Sequence, residues 1–100
     1  MKPRKIVTIV NQRRFNSDAC FILAHDAYQD ESGCWEREHG TNRFLYKTAL
    51  GNYFLVTQFG GGRNQIDELG LDDALNAYEE LPVEVKNFDF AFPGIEITPA

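Results

Sequence analysis

The chain has 100 residues, of which 43% are hydrophobic, and it carries a formal net charge of −5 at pH 7. A chain of this size buries enough surface to fold without a disulfide or a metal, so its two cysteines are expected to be free thiols. No apolar stretch approaches the roughly 20 residues of a membrane span, and the short apolar run near the start is not a signal peptide. We therefore expect a cytoplasmic protein, and its acidic balance disfavours general nucleic-acid binding.

The first residues predict a β-hairpin. The β-branched run at residues 5–10 has the composition of a strand, Asn11-Gln12 has that of a turn, and residues 13–15 form a short return strand.

A helix is predicted after this hairpin. The segment Asn16-Ser17-Asp18 provides side-chain oxygens that cap a helix N-terminus. Ala19, Ile22 and Leu23 then follow with helical spacing. We expect two to three helical turns, ended by the turn at residues 30–33.

The middle of the chain predicts a series of strands. Cys34–Glu36 is a short candidate, and Asn42–Thr48 and Tyr53–Phe59 are longer ones. The last two are expected to form a hairpin, because Gly51 in the connection can adopt a positive φ. Gln65–Leu69 is a further candidate strand.

The last third predicts an amphipathic helix followed by a tail. One apolar face is formed at helical spacing by Leu71, Ala74, Leu75, Tyr78 and Leu81. Pro82 ends this helix. Residues 82–100 are rich in acids and aromatics, and the alternation of Phe88, Phe90 and Phe92 is typical of an extended segment that either docks on the sheet or binds a partner.

These elements predict an α+β fold made of a single domain over residues 1–100. Since the order lacks βαβ units, we expect a mostly antiparallel sheet with two helices packed on one face and an extended acidic aromatic C-terminal tail.

The charges occur in alternating blocks. Residues 1–14 contain five bases and no acid, and residues 15–40 contain six acids and one base. Residues 41–63 contain three bases and no acid, and residues 64–100 contain nine acids and one base. Two explanations remain open: packing of basic strands beside acidic helices, and a polarised surface that steers a charged partner.

No catalytic centre or cofactor is expected. Neither Ser17 nor Ser32 lies in a nucleophile elbow, and adjacent acids are typical of a solvated face. The only metal candidates are the two thiols and two imidazoles, whose spacing is not that of close zinc-binding pairs two to four residues apart. They are Cys20, His25, Cys34 and His39.

A nucleic-acid surface is the main alternative to a protein-binding one. Cations interleaved with aromatic rings suit phosphates and stacked bases. The candidate cations are Arg13, Arg14, Arg43, Lys47 and Arg63. Strand alternation, however, places Phe44 and Tyr46 on the face opposite Arg43 and Lys47, which favours a core role for the rings.

Several segments together resemble a loosely defined group of small uncharacterised bacterial proteins found near phage or mobile-element genes. The resemblance lies in residues 14–19, 44–48, 51–55, 69–78 and 92–96, which read RFNSDA, FLYKT, GNYFL, LGLDDALNAY and FPGIE. It implies no catalytic residue. It implies a context in which small acidic proteins, anti-CRISPR proteins among them, act as inhibitors or adaptors of larger host machines.

We therefore expect a small non-enzymatic protein-binding module, acting as a mobile-element inhibitor of a nucleic-acid-handling host complex. The expected partner is a host or effector protein, bound by a monomer or homodimer, with nucleic acid as the alternative partner and no membrane association. A metal protein or enzyme built on the Cys/His set is the third alternative. The expected contact residues are carboxylates near the last helix, together with the tail: Asp67, Glu68, Asp72, Asp73, Glu79 and Glu80.

Overall fold

The computed structural model describes residues 1–27 and 40–96. In chain order the elements are β1 (Val7–Val10), β2 (Arg13–Asn16), a 3-10 turn (Ser17–Ala19), β3 (Phe21–His25), β4 (Thr41–Lys47), β5 (Tyr53–Phe59), β6 (Asn64–Leu69), α1 (Leu71–Glu80), β7 (Val83–Glu84) and α2 (Phe88–Ala91). Neither described helix is long and apolar enough to cross a membrane. The predicted strand at Cys34–Glu36 lies outside the described residues.

The centre of the fold is a five-stranded antiparallel sheet with the order β6-β5-β4-β3-β7. The predicted β4–β5 hairpin is confirmed, with Lys47 opposite Tyr53 and Thr41 opposite Phe59. Gly51 has a φ of 86° in the connecting turn, a conformation that glycine adopts without a steric cost. The α+β class and the mostly antiparallel sheet are therefore as predicted.

Alternation along the strands gives the sheet two buried faces. The helix face, which includes Leu45, packs against α1 and α2 in a cluster that contains Ala74 and Phe92. The hairpin face, which includes Phe44 and Tyr46, packs against the β1–β2 hairpin through Phe15. The sheet is thus covered by helices on one side and by a two-stranded hairpin on the other.

The β1–β2 hairpin closes through the predicted turn at Asn11 and Gln12, both of which have positive φ. Two consecutive positive φ angles give the turn a twist that matches that of the flanking strands. The segment before β1 runs over the hairpin face and is held there by Gln58, whose side chain is fully buried. The Gln58 Oε1 accepts a bond from the Arg4 backbone N–H at 2.7 Å, and its Nε2 donates to the Lys2 carbonyl at 3.0 Å.

The helix predicted after Asn16 is wrong. Asn16 does cap a turn, because its Oδ1 accepts a bond from the Asp18 N–H at 3.1 Å, but the turn ends at Ala19 and the chain continues as β3. β3 lies between β4 and β7, so its backbone groups find partners on both sides. Pairing within the sheet therefore outweighs the helical spacing of Ala19, Ile22 and Leu23.

The C-terminal helix is confirmed as α1, but the extended segment expected at Phe88–Phe92 is wrong. Residues Phe88–Ala91 form α2, which Asn87 caps by accepting the Phe90 N–H at 2.9 Å, and Phe92 follows directly after the helix. Phe92 is buried, Phe88 is half-buried and Phe90 is 40% exposed, so the three rings do not share one face. Residues 82–96 dock on the sheet, and β7 within them adds an edge strand that no sequence signal indicated.

Candidate protein-binding surface

The fold sorts the charges by layer. The hairpin side, residues 1–19, has one acid, Asp18, and five bases: Lys2, Arg4, Lys5, Arg13 and Arg14. The helix side, residues 71–96, has one base, Lys86, and seven acids: Asp72, Asp73, Glu79, Glu80, Glu84, Asp89 and Glu96. The helix face of the sheet adds Asp67, Arg43 and Lys47 to the helix side, so that side keeps a net negative charge and the hairpin side a net positive one.

Five of the six predicted contact acids lie on the helix side. Asp72, Asp73, Glu79 and Glu80 are exposed on α1, and Asp67 is exposed on β6 opposite Leu55 of the helix face.

Glu68 lies apart from the other predicted acids. It faces the hairpin, where its carboxylate accepts bonds from Arg13 and Asn11, each at 3.2 Å. Its role in the described structure is to join β6 to the hairpin.

Most of the helix-side carboxylates have no intramolecular ionic partner. Within residues 1–27 and 40–96, Asp72, Asp73 and Glu79 form no ion pair. Glu80 lies 3.9 Å from the Arg43 guanidinium, and both side chains are substantially exposed. Exposed pairs at such a distance contribute little to stability. These charges are therefore available to a partner.

An apolar groove runs along the helix side between α1 and the segment after it. Its volume is about 440 Å³. The lining consists of Leu75, Tyr78, Glu79, Phe88, Ile95 and Glu96.

Tyr78 forms the most constrained wall of this groove. Its ring packs edge-on against Phe88 and Phe92, at centroid distances of 6.2 and 5.4 Å. Its hydroxyl donates a hydrogen bond to the Glu84 carboxylate and lies 2.8 Å from the Lys86 carbonyl oxygen. Burial, together with the bond to Glu84 and its charge, raises the pKa of Tyr78 far above its usual value. Tyr78 therefore stays a neutral hydrogen-bond donor.

The five predicted nucleic-acid cations do not form one surface. Arg13 and Arg14 lie on the hairpin, whereas Arg43 and Lys47 extend from the helix face of β4. Arg63 lies in the β5–β6 connection, with its guanidinium 4.5 Å from the Phe59 ring centroid.

Most of these cations are also engaged within the chain. The Arg43 Nε lies 3.6 Å from the Asp26 carboxylate, and the Lys47 Nζ donates to the Phe90 carbonyl at 2.8 Å. Arg14 alone among the five has no ionic or ring contact within the described residues. As the strand alternation predicted, the Phe44 and Tyr46 rings are buried in the core.

The two metal candidates that the structure describes lie apart. Cys20 precedes β3 and His25 ends it, so roughly 15 Å of extended chain separates them. The Cys20 thiol donates to the Asn16 carbonyl at 3.2 Å, and burial raises its pKa. Cys34 and His39 lie outside the described residues, within which no group of three metal-ligating side chains occurs.

His25 is a core residue rather than an exposed ligand. It is 4% exposed, and its Nδ1 accepts the Ala27 backbone N–H at 3.1 Å. Burial lowers the pKa of His25, an effect that the Asp26 carboxylate partly opposes. The neutral imidazole is therefore the form that the fold favours.

One exposed cluster was not found in the sequence. The Phe21 and Phe90 rings, 44% and 40% exposed, meet edge-on at 5.1 Å. The Lys86 Nζ lies 6.0 Å from the first ring and 5.3 Å from the second, and the Lys47 Nζ lies 5.4 Å from the second. The four residues come from three separate segments, β3, β4 and residues 86–90, so no local pattern indicated that they all meet.

The chain was compared with protein-family models, with curated proteins and with solved structures, and none of them matches it.

Proposed function

We propose that the protein is a non-enzymatic binding module that inhibits a nucleic-acid-handling complex, such as a CRISPR effector, by occupying a basic surface of that complex. The observation that carries the proposal is the separation of charge across the sheet, together with the α1 carboxylates Asp72, Asp73 and Glu79, which form no ion pair with any residue that the structure describes. The helix side presents acids at positions fixed by a helix and a strand. It is therefore a preorganised anionic surface.

Such a surface suits a protein that normally binds phosphates. Carboxylates held on a rigid helix satisfy the same arginines and lysines that contact a nucleic-acid backbone. Segregated charge also speeds association with an oppositely charged partner and orients it. The basic hairpin side faces away, so it does not neutralise the acids.

The proposal is tested by capture of a partner from a nuclease-treated lysate of the source cells. The acid reversal, Asp67→Lys with Glu79→Lys and Glu80→Lys, should lose a partner that the unmodified protein retains. Lysines in the last turn of α1 favour the helix dipole, so this variant is expected to stay folded. The matched hairpin reversal, Lys2→Glu with Lys5→Glu and Arg14→Glu, should retain the partner.

A captured partner should also release the protein when single-stranded DNA is added, because both ligands compete for one basic surface. Capture that is unaffected by DNA and by the acid reversal would contradict the proposal.

The basic hairpin side supports a second candidate function, direct binding of nucleic acid. Lys2, Lys5 and Arg14 are exposed there, and among the residues that the structure describes only Lys5 of the three has an ionic partner, Asp18 at 3.4 Å. This alternative predicts that labelled single-stranded DNA binds at low salt, weakens steeply as salt rises, and no longer binds the hairpin reversal. The proposed function requires no such binding.

A further inference from the structure

We propose that the groove between α1 and the 88–96 segment binds a positively charged amphipathic helix of the partner. This inference rests on the proposed function and specifies which part of the helix side makes the central contact. The groove is described by its six lining residues, Leu75, Tyr78, Glu79, Phe88, Ile95 and Glu96.

The floor of the groove is apolar and only partly covered by the rest of the chain. Leu75, Tyr78, Phe88 and Ile95 are each only half-buried, although they pack against the core cluster of the helix face. Covering their remaining apolar surface removes it from water, which favours a partner with apolar side chains. A purely ionic contact would leave this surface exposed.

The rim of the groove is negatively charged. The two charged lining residues, Glu79 and Glu96, are both acids, and both are exposed. Asp72 lies on the same stripe of α1 as Leu75 and Glu79, at helical spacing. The Lys86 ammonium is directed to the Phe21 and Phe90 rings instead. The groove therefore complements an occupant with cations beside its apolar side chains.

The shape of the groove suits a helix. The groove is bounded by α1 on one side and by Phe88 of α2 with the chain after it on the other. A groove beside a helix accepts a third helix that inserts apolar side chains at i, i+4 and i+7. Lysines or arginines next to those positions would then meet Glu79 and Glu96. One amphipathic helix satisfies the apolar and the charged requirements together.

The test uses two labelled synthetic helical peptides of equal charge. The Lys/Leu peptide has leucine at i, i+4, i+7 and i+11 with lysines beside them, and the Lys/Ser peptide has serine at those positions. Fluorescence anisotropy should show the Lys/Leu peptide binding at least about tenfold more tightly, since leucine but not serine gains from burial. Backbone amide NMR shifts should change at residues 75–79, 88 and 95–96.

Leu75→Gln should weaken the Lys/Leu peptide to the level of the Lys/Ser peptide. The matched control is Ile9→Gln, because Ile9 is an aliphatic residue 73% exposed on the hairpin side. It should leave both affinities unchanged. The shift map of the unmodified protein tests the same contact without any substitution.

Four results would overturn the inference. Equal affinity of the two peptides, both lost in the acid reversal, would reject the groove and leave the proposed function standing. Self-association in sedimentation, with shifts in the groove as concentration rises, would assign it to a second copy. Lys/Leu binding that occurs only after deletion of residues 97–100 would assign it to the chain's own end. Failure of both peptides to bind would contradict the inference and the proposed function together.

Discussion

At the scale of single residues, Gln58 is the buried polar group that attaches the N-terminal segment to the sheet. The oxygen and the nitrogen of its side-chain amide each form a hydrogen bond with a backbone group, of Arg4 and Lys2 respectively. These two residues lie more than fifty positions earlier in the chain. A buried amide satisfied in this way stabilises the fold only while both bonds persist, because an unpaired buried polar group costs free energy.

We predict that Gln58→Met lowers the free energy of unfolding by about 1–3 kcal/mol, since it leaves the Arg4 N–H and the Lys2 carbonyl without their partner. Urea denaturation measures the change. The control is Gln65→Met on the neighbouring strand, where the side chain is exposed. A loss at Gln58 no larger than at Gln65 would show that the amide does not hold the segment.

The lowered pKa of His25 should make the stability of the fold depend on pH. Burial lowers its pKa in the folded state below the ordinary value of 6.5 for a histidine. The Met1 ammonium adds to this lowering of the pKa, whereas the Asp26 carboxylate and the hydrogen bond with Ala27 oppose it. The unfolded chain then binds the proton more readily, so the free energy of unfolding falls as pH is lowered from about 7 to about 5.

The measurement is urea denaturation across this pH range for the unmodified protein and for His25→Gln. The variant should show a shallower loss of stability towards acid, because its residue 25 no longer titrates. Identical pH profiles would show that the imidazole is equally basic in the folded and unfolded states.

At the scale of elements, Phe92 is what fixes the C-terminal segment to the sheet. Its ring stacks on Tyr53 at a centroid distance of 5.0 Å and meets the Phe88 ring in a tilted arrangement at 5.4 Å, and Phe92 is 1% exposed. The Tyr53 hydroxyl donates to the Ala91 carbonyl at 2.5 Å, which anchors the same segment from the sheet.

We predict that Phe92→Ala lowers the free energy of unfolding by about 3–5 kcal/mol, as expected when a fully buried aromatic ring is removed. Phe90→Ala is the matched control two residues away and should cost much less, because Phe90 remains 40% exposed. Similar losses for the two variants would contradict the docked arrangement of residues 82–96.

The elements also show where sequence patterns suffice and where they fail. The β4–β5 hairpin and α1 were predictable because each has a strong local period and a local stop signal, such as Gly51 or Pro82. β3 was not, because its helical spacing is local whereas its partners, β4 and β7, lie far away in sequence. α2 was missed for the opposite reason: a local Asn87 cap outweighs the alternation of three phenylalanines.

At the scale of the whole molecule, the chain topology converts charge blocks into charged faces. The first basic block becomes the hairpin side and the last acidic block becomes the helix side, while the second basic block lies within the sheet and its hairpin connection. The acids of α1 were predictable as a candidate site because helix spacing exposes them. The separate position of Glu68 was not predictable, because it depends on packing of β6 against the distant hairpin. The groove beside Leu75 was not predictable either, because it depends on how the 88–96 segment folds back beside α1.

The central claim is that the helix side, and not the hairpin side, contacts the partner. Its most direct test is calorimetric titration of the captured partner with the unmodified protein, the acid reversal and the hairpin reversal. We expect the acid reversal to bind at least about a hundredfold more weakly, since it replaces attraction by repulsion at several contacts, and the hairpin reversal to bind within about threefold of the unmodified protein. An acid reversal that binds normally beside a hairpin reversal that does not would contradict the account and assign binding to the basic side.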